Sequence, residues 1–414
     1  MAGWQDDARS TAIAADDRDP LAAVRDRFRL PDGLVYLDGN SLGALQPAIA
    51  QRVATTMTDE WGEGLIRSWN DAGWVELPGR IAARIAPLIG AATDEVAVTD
   101  STSTNLFKVL AAGAALRPER RVILTDDTNF PTDIYVARGL AGLTDRHEVR
   151  VVPPEDLHDH LDDEVAMLML TEVDYRSGRR HDAPALTAAA HGVGALAVWD
   201  LAHSVGVLDV DLTAWGADLA VGCSYKFLSG GPGAPAFAFA ARRHHAALVN
   251  PLAGWFGHEQ PFAFDLDYRP APGATRLLNG TAPVLSMTAL EAALEAFDGL
   301  EPAAVTAKAH ALTTRFIDLV DTHLDGRIEV VTPREPARRG SQVSLRHEQA
   351  YAVTRALTDR GVIGDHRPPD IVRFGFAPLY VRHLDVVEAV IRLADLLDTG
   401  AWDQPRFHER QTVT

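Results

Sequence analysis

The chain has 414 residues, 47% of them hydrophobic and 23% charged, which is ordinary globular composition at a length that suits two lobes. Its formal net charge of −18 disfavours nucleic acid, which needs basic patches, and suits a small-molecule partner. The single cysteine, Cys223, excludes a disulfide framework and a cysteine-rich metal site, so no metal is expected.

In chain order, residues 1 to about 30 read as a polar, partly helical arm. Residues 1 to 18 are rich in Asp and Arg with no apolar segment, unlike a signal peptide. No run of about 18 uncharged apolar residues suggests a membrane span, so a cytoplasmic location is expected. Residues 34–43, Leu-Val-Tyr-Leu-Asp-Gly-Asn-Ser-Leu-Gly, read as a short strand closed by turn residues. Residues 47 to 90 read as helices interrupted near Trp61, Trp69 and Trp74. From about 95 to 250, apolar runs at 122–124, 165–170, 195–199, 219–223 and 236–240 alternate with helical or turn stretches. That spacing predicts βαβ units around a mostly parallel sheet. Helices are predicted at 287–297 and 305–324. After about 325 come a strand at 342–345, a helix near 349–360 and a strand at 371–374, as in a smaller α+β lobe. The domain bounds are 1–45 for an arm belonging in part to the small domain, 46–300 for the large domain and 301–414 for the small one.

Ligands of open α/β sheets sit outside the carboxyl ends of the strands, so polar residues after the apolar runs are the ones to weigh. The chain has only three lysines, Lys108, Lys226 and Lys308. Lys108 and Lys308 fall in helix-like segments. Lys226 follows the run 219–225 and precedes a glycine-rich turn. A buried lysine is costly unless neutralised or paired, and a Schiff base with an aldehyde cofactor removes that cost. A lysine reaching from a strand end to solvent is the plainer alternative. Asp200 closes the run 197–199 and His203 lies three residues on. An acid there suits a protonated ring nitrogen in a heterocyclic electron sink; capping of the next turn is the alternative. Hydroxyls in Asp100-Ser101-Thr102-Ser103-Thr104 precede a helical run, a good phosphate site and equally an ordinary cap. Phe130, in Asn129-Phe130-Pro131-Thr132-Asp133, offers a ring for stacking. Arg373 lies inside an apolar strand, where either a carboxylate clamp or a structural salt bridge explains it.

Together these segments resemble the kynureninases, which have the aspartate-aminotransferase (type I) fold of pyridoxal-phosphate enzymes. The resemblance runs from about Tyr36 to about Tyr380. It rests on Leu37-Asp38-Gly39-Asn40-Ser41-Leu42-Gly43, Phe130-Pro131-Thr132-Asp133, Trp199-Asp200-Leu201-Ala202-His203, Cys223-Ser224-Tyr225-Lys226-Phe227-Leu228 and Gly254-Trp255-Phe256-Gly257-His258. The Asp and Lys mark the wider superfamily; the Ser-Tyr-Lys and Gly-Trp-Phe-Gly-His blocks are more specific. One departure is Ala282, where the family pattern reads Gly-Thr-Pro-Pro.

The resemblance implies an α/β large domain with a mostly parallel sheet, a smaller α+β C-terminal domain and pyridoxal 5'-phosphate as cofactor. It implies hydrolysis of L-kynurenine, and of 3-hydroxykynurenine, to anthranilate or 3-hydroxyanthranilate and L-alanine, within tryptophan catabolism, the kynurenine pathway and NAD biosynthesis. Lys226 would carry the cofactor, Asp200 its ring nitrogen, and Tyr225 would relay a proton. Thr102, Ser103 and Tyr225 would contact the phosphate and Phe130 the ring, with Asp133, Thr171 and His203 completing the shell. Trp255 and Thr281 would reach the phosphate of a neighbouring subunit, implying a homodimer with a shared active site. Arg373 would hold the substrate carboxylate, with Asn40, Ser41, Trp69 and His258 around its aromatic end. The competing readings are a cysteine desulfurase-like lyase or an aminotransferase of the same fold, and a non-catalytic cofactor-binding protein. No nucleic acid or membrane partner is expected.

Overall fold

The computed structural model describes residues 2–411. Its large sheet has seven strands: β2 (Val96–Val98), β3 (Val122–Asp126), β4 (Glu148–Val152), β5 (Val165–Thr171), β6 (Leu196–Asp200), β7 (Leu219–Gly222) and β8 (Phe237–Ala240). A two-residue strand, β1 (Val35–Tyr36), precedes them in the chain. Their spatial order is β2-β8-β7-β6-β5-β3-β4. The pairs from β4 through β7 are parallel, while β8 runs antiparallel to both β7 and β2.

The central strands read as unbroken apolar runs because both faces are covered. Alternation still decides which cover each residue meets. In β6, Leu196 and Val198 join one core cluster, with Leu106, Val109 and Leu110 of the Thr102–Leu116 helix. Ala197 and Trp199 join the other, with Leu186 and Ala190 of the Ala183–Gly192 helix.

A second sheet follows, of β9 (Glu329–Val330), β10 (Gln342–Arg346), β12 (Asp365–Arg367) and β13 (Ile371–Gly375), in the order β12-β13-β10-β9 and antiparallel throughout. One face carries Val343, Leu345, Val372 and Phe374 into the core; the other carries Gln342, Ser344, Arg373 and Asp365. The N-terminal arm returns to this part of the chain. β1 pairs with β11 (Val362–Ile363), and the Ala2–Asp16 helix packs Ala12 on Val387 and Ile391 of the His383–Thr399 helix. Asp16 caps that helix through the His383 and Leu384 amides.

The structure differs from the sequence reading in places. The strand expected at 34–37 is only Val35–Tyr36, and the helical stretch 47–90 is broken into short α, π and 3-10 pieces around the tryptophans. Strands β2, β4, β9, β11 and β12 and the His383–Thr399 helix were not foreseen individually. Among the described residues no helix is long and apolar enough to cross a membrane.

Candidate active site

The carboxyl ends of β3, β5, β6 and β7 converge, and the loops leaving them carry the polar residues. Asp200 ends β6 and is paired in register with Thr171, which ends β5. Lys226 lies four residues beyond β7, held by a turn in which the Ser229 amide donates to the Lys226 carbonyl at 2.9 Å. Phe130 and Asp133 open the Pro131–Thr144 helix after β3, where Pro131 suits the first helical position. Thr102 and Ser103 form the first turn of the Thr102–Leu116 helix, capped by Ser101, which accepts from the Thr104 amide.

These residues line one small cavity of about 90 Å³: Thr102, Ser103, Phe130, Asp133, Thr171, Asp200, His203, Tyr225 and Lys226, with Thr132, Tyr175 and Ala202. A larger cavity of about 590 Å³ adjoins it through shared Thr102 and Tyr225, and Thr281 lines that one.

The three lysines have separate fates. The Lys108 ammonium is buried against Asp100 and donates to the Leu277 carbonyl at 2.7 Å. Lys308 is buried against Asp19 at 2.6 Å. The Lys226 ammonium has no hydrogen bond or ion pair among the described residues and stands 5.8 Å from the centroid of the Tyr225 ring.

Facing it are two buried carboxyls, Asp133 and Asp200. Burial raises both; the Asp200 charge raises Asp133 further, so Asp133 keeps a proton, while Lys226 pulls Asp200 back toward ionisation. The Ala202 amide donates to Asp200 at 2.7 Å, and the Thr171 hydroxyl reaches Asp133 at 3.3 Å and Asn129. His203 is pushed well below its ordinary range by burial, then by the charges of Lys226 and Arg373, so it is neutral. Its Nδ1 pairs with Gln342 Oε1 at 2.8 Å. Burial, then Cys223 and Asp200, push the Tyr225 phenol up, so it stays a proton donor.

A second cluster abuts this cavity. Arg373 is 1% exposed. Its Nε and Nη2 donate to the two oxygens of Asp365, Nη2 also to Ser41 Oγ at 2.9 Å, and Nη1 to the Tyr175 carbonyl at 2.6 Å. Arg367 donates to the same Asp365. With its amide oriented to satisfy both neighbours, Asn40 donates to Asp38 at 3.2 Å and accepts from Arg373 Nε at 3.1 Å. Arg373 thus meets an acid of its own chain, the salt bridge that the sequence left open as the alternative.

The remaining candidates lie elsewhere. Arg373, Asn40, Ser41, Trp69, His258 and Trp255 do not line the Lys226 cavity. Trp69 packs on Trp74 and Phe256. Both nitrogens of His258 are engaged within its own loop, by the Gln260 amide at 2.9 Å and the Asp267 carbonyl at 3.3 Å. Trp255 packs against Phe256, Phe262 and Phe264. Sequence reasoning missed Tyr175, Gln342, Asp38 and Asp365. An acid two residues before an arginine, Asp365-His366-Arg367, was the one signal available for Asp365. Among the described residues no group of three or more His, Cys, Asp or Glu is placed to hold a metal.

Comparison with known proteins gives three findings. Residues 305–393 match the family model of the kynureninase C-terminal domain. Kynureninases of Burkholderia mallei (strain SAVP1) and Pseudomonas fluorescens are 51% and 48% identical, each over 413 residues, 98% of this chain and 99% of theirs. Among solved structures, a cysteine desulfurase of Thermococcus onnurineus NA1 superposes with a TM-score of 0.77 at 17% identity, covering 91% of this chain and 98% of that one. The Escherichia coli cysteine desulfurase CsdA gives 0.75 at 19% identity, covering 92% and 98%. Likeness at that identity shows the fold, an α/β type I architecture.

Proposed function

This chain belongs to the kynureninase family, and from that premise we propose that it binds pyridoxal phosphate and hydrolyses L-kynurenine to anthranilate and L-alanine, accepting 3-hydroxykynurenine as well, in tryptophan degradation. The observation that carries the proposal is the unpaired amine of Lys226, enclosed with the acid pair Asp133 and Asp200.

The residues present fit the cofactor. Lys226 would hold its aldehyde carbon, Asp200 its ring nitrogen, Phe130 a ring face, and Thr102, Ser103 and Tyr225 the phosphate at a helix N-terminus. When bound, the cofactor supplies an electron sink for charge developing at the substrate α-carbon. Asp200 keeps a proton on the ring nitrogen, and Asp133, protonated, donates to Asp200 and holds it in place. Thr171 supports Asp133 from β5. His203, neutral, adds no positive charge against Lys226. The Lys226 amine moves the proton at the α-carbon. The Tyr225 phenol delivers a proton near the β-carbon. Arg373 orients the substrate carboxylate, and Asn40, Ser41, Trp69 and His258 surround the aromatic end.

A homodimer in the cytoplasm completes the proposal, with Trp255 and Thr281 serving the neighbouring subunit's phosphate. Its support is a set of large apolar side chains left exposed in the single chain: Ile66 is 76%, Phe264 74% and Leu266 100% exposed. The desulfurase reading needs a mobile nucleophilic thiol. Cys223 is buried, and burial pushes its thiol up.

The test is purified holoprotein with kynurenine, read by anthranilate fluorescence and by alanine release. Lys226→Ala is expected to lower turnover by at least about a thousandfold and to leave the cofactor removable by dialysis. Persulfide or keto-acid production without anthranilate overturns the proposal.

A further inference from the structure

We propose that Arg367 receives the substrate carboxylate together with Arg373, and that Asp365 is the positioning residue that holds the two guanidinium groups side by side. The inference rests on reading Arg373 as the residue that binds that carboxylate.

The geometry begins with strand register. Asp365 of β12 stands opposite Arg373 of β13, and Arg367, two residues on, shares its face of the sheet. That face is polar: Ser344 stands opposite Arg373 on the other side, and Gln342 lies two residues before it. Tyr175, whose carbonyl holds Arg373, lines the Lys226 cavity. Gln342 joins the two, accepting from His203 at 2.8 Å and donating to the Tyr175 carbonyl at 3.1 Å. The arginine cluster therefore lies against the cavity wall.

The hydrogen bonds then separate the two arginines. Every nitrogen of Arg373 has a partner, and its fork is filled by Asp365. Arg367 gives only Nη2 to Asp365 and, at 3.4 Å, to Ser41. Its Nε is buried without a hydrogen-bond partner among the described residues, while its side chain is 31% exposed. A buried, unmatched donor on a charged group is costly, and an entering carboxylate would satisfy it. Two guanidinium groups on one carboxylate also leave excess positive charge, which an anion offsets. Without Asp365 the two cations would repel each other apart.

The experiment uses holoenzyme with kynurenine, and L-alanine and alaninamide as binding probes read from the cofactor absorbance. In Arg367→Gln, KM and the L-alanine Kd are expected to rise about tenfold to a hundredfold, with kcat within about threefold and alaninamide affinity unchanged. Arg367→Lys, which keeps the charge, is expected to recover part of the loss and serves if the Gln variant does not fold. Asp365→Asn is expected to raise KM in the same way with cofactor absorbance intact. If Arg367→Gln and Arg367→Lys leave KM and Kd unchanged while Arg373→Gln raises both, Arg373 works alone and the proposal falls. If Arg373→Gln also changes neither, the assignment of the carboxylate site itself falls.

Discussion

Asp38 shows how a single carboxyl can tune the arginine cluster. It faces Asp365, Arg373, Arg367 and, across β1, Tyr36 and Tyr380. Burial and then the Asp365 charge push it up to about 7, against the pull of Arg373, Ser41 and Arg367. Below that pH Asp38 is neutral and the cluster has charge to spare for a carboxylate; above it the added negative charge opposes binding. KM for kynurenine is therefore expected to rise above pH 7, and Asp38→Asn to flatten that limb of the KM profile. The sign for folding follows the same proton. A carboxyl raised above its ordinary value of about 4 stabilises the fold fully below that value and loses the contribution as pH rises through 7. Thermal melts of Asp38→Asn are expected to be less pH-sensitive between those limits. If Asp200 serves the ring nitrogen as proposed, Asp200→Asn is expected to lower turnover about a hundredfold or more, while far-UV circular dichroism stays as in the parent.

At the scale of elements, the loop after β1 and the loop after β7 are locked together. The Gly43 amide donates to the Tyr225 carbonyl at 2.9 Å. A Cβ at Gly43 would lie 2.3 Å from the Lys226 carbonyl oxygen and 2.6 Å from Ser229 Cα. Both are backbone atoms and cannot swing aside. Gly43→Ala is expected to destabilise the chain by about 1–3 kcal/mol in urea unfolding and to lower turnover by shifting Lys226. The sequence made the inner strands legible, because a strand covered on both faces is an unbroken apolar run. It hid β12, whose Asp-His-Arg composition has no strand signature. That strand exists because β13 offers it a partner and Arg373 offers Asp365 a counter-ion. Gln342 and Tyr175 were hidden for another reason: their partners His203 and Arg373 are far away in sequence, and no local pattern announces them.

Over the whole molecule, buried charge sets the acid limit. Asp218, immediately before β7, accepts from His191 at 2.8 Å, His244 at 2.7 Å and Arg243 at 2.6 Å, and from the Ala197 amide at 2.7 Å. Burial alone would push its carboxyl up; His244, the Ala197 amide, His191 and Arg243 together hold it well below the usual carboxylate range. A depressed carboxyl contributes stability above its unfolded value, about 4, and loses it as pH falls further. Asp218→Asn is expected to lower stability by about 2–4 kcal/mol at pH 7, with the gap to the parent closing below pH 4 in denaturant titrations. The proposed homodimer predicts a sedimenting species of twice the chain mass, weakened by Phe264→Asp.

Residue order alone carried the inner strands, the family and the candidate amine Lys226, because strand burial and a scarcity of lysine can be read along the chain. Folding was needed to show that Lys108 and Lys308 are taken by Asp100 and Asp19 and that the Lys226 ammonium is unpaired among the described residues. It alone set Asp133 beside Asp200 and gave Arg373 to Asp365. Pairing and protonation depend on which groups share a buried space, and packing fixes that whether the partners lie eight residues apart, as Asp365 and Arg373 do, or nearly three hundred, as Asp19 and Lys308 do.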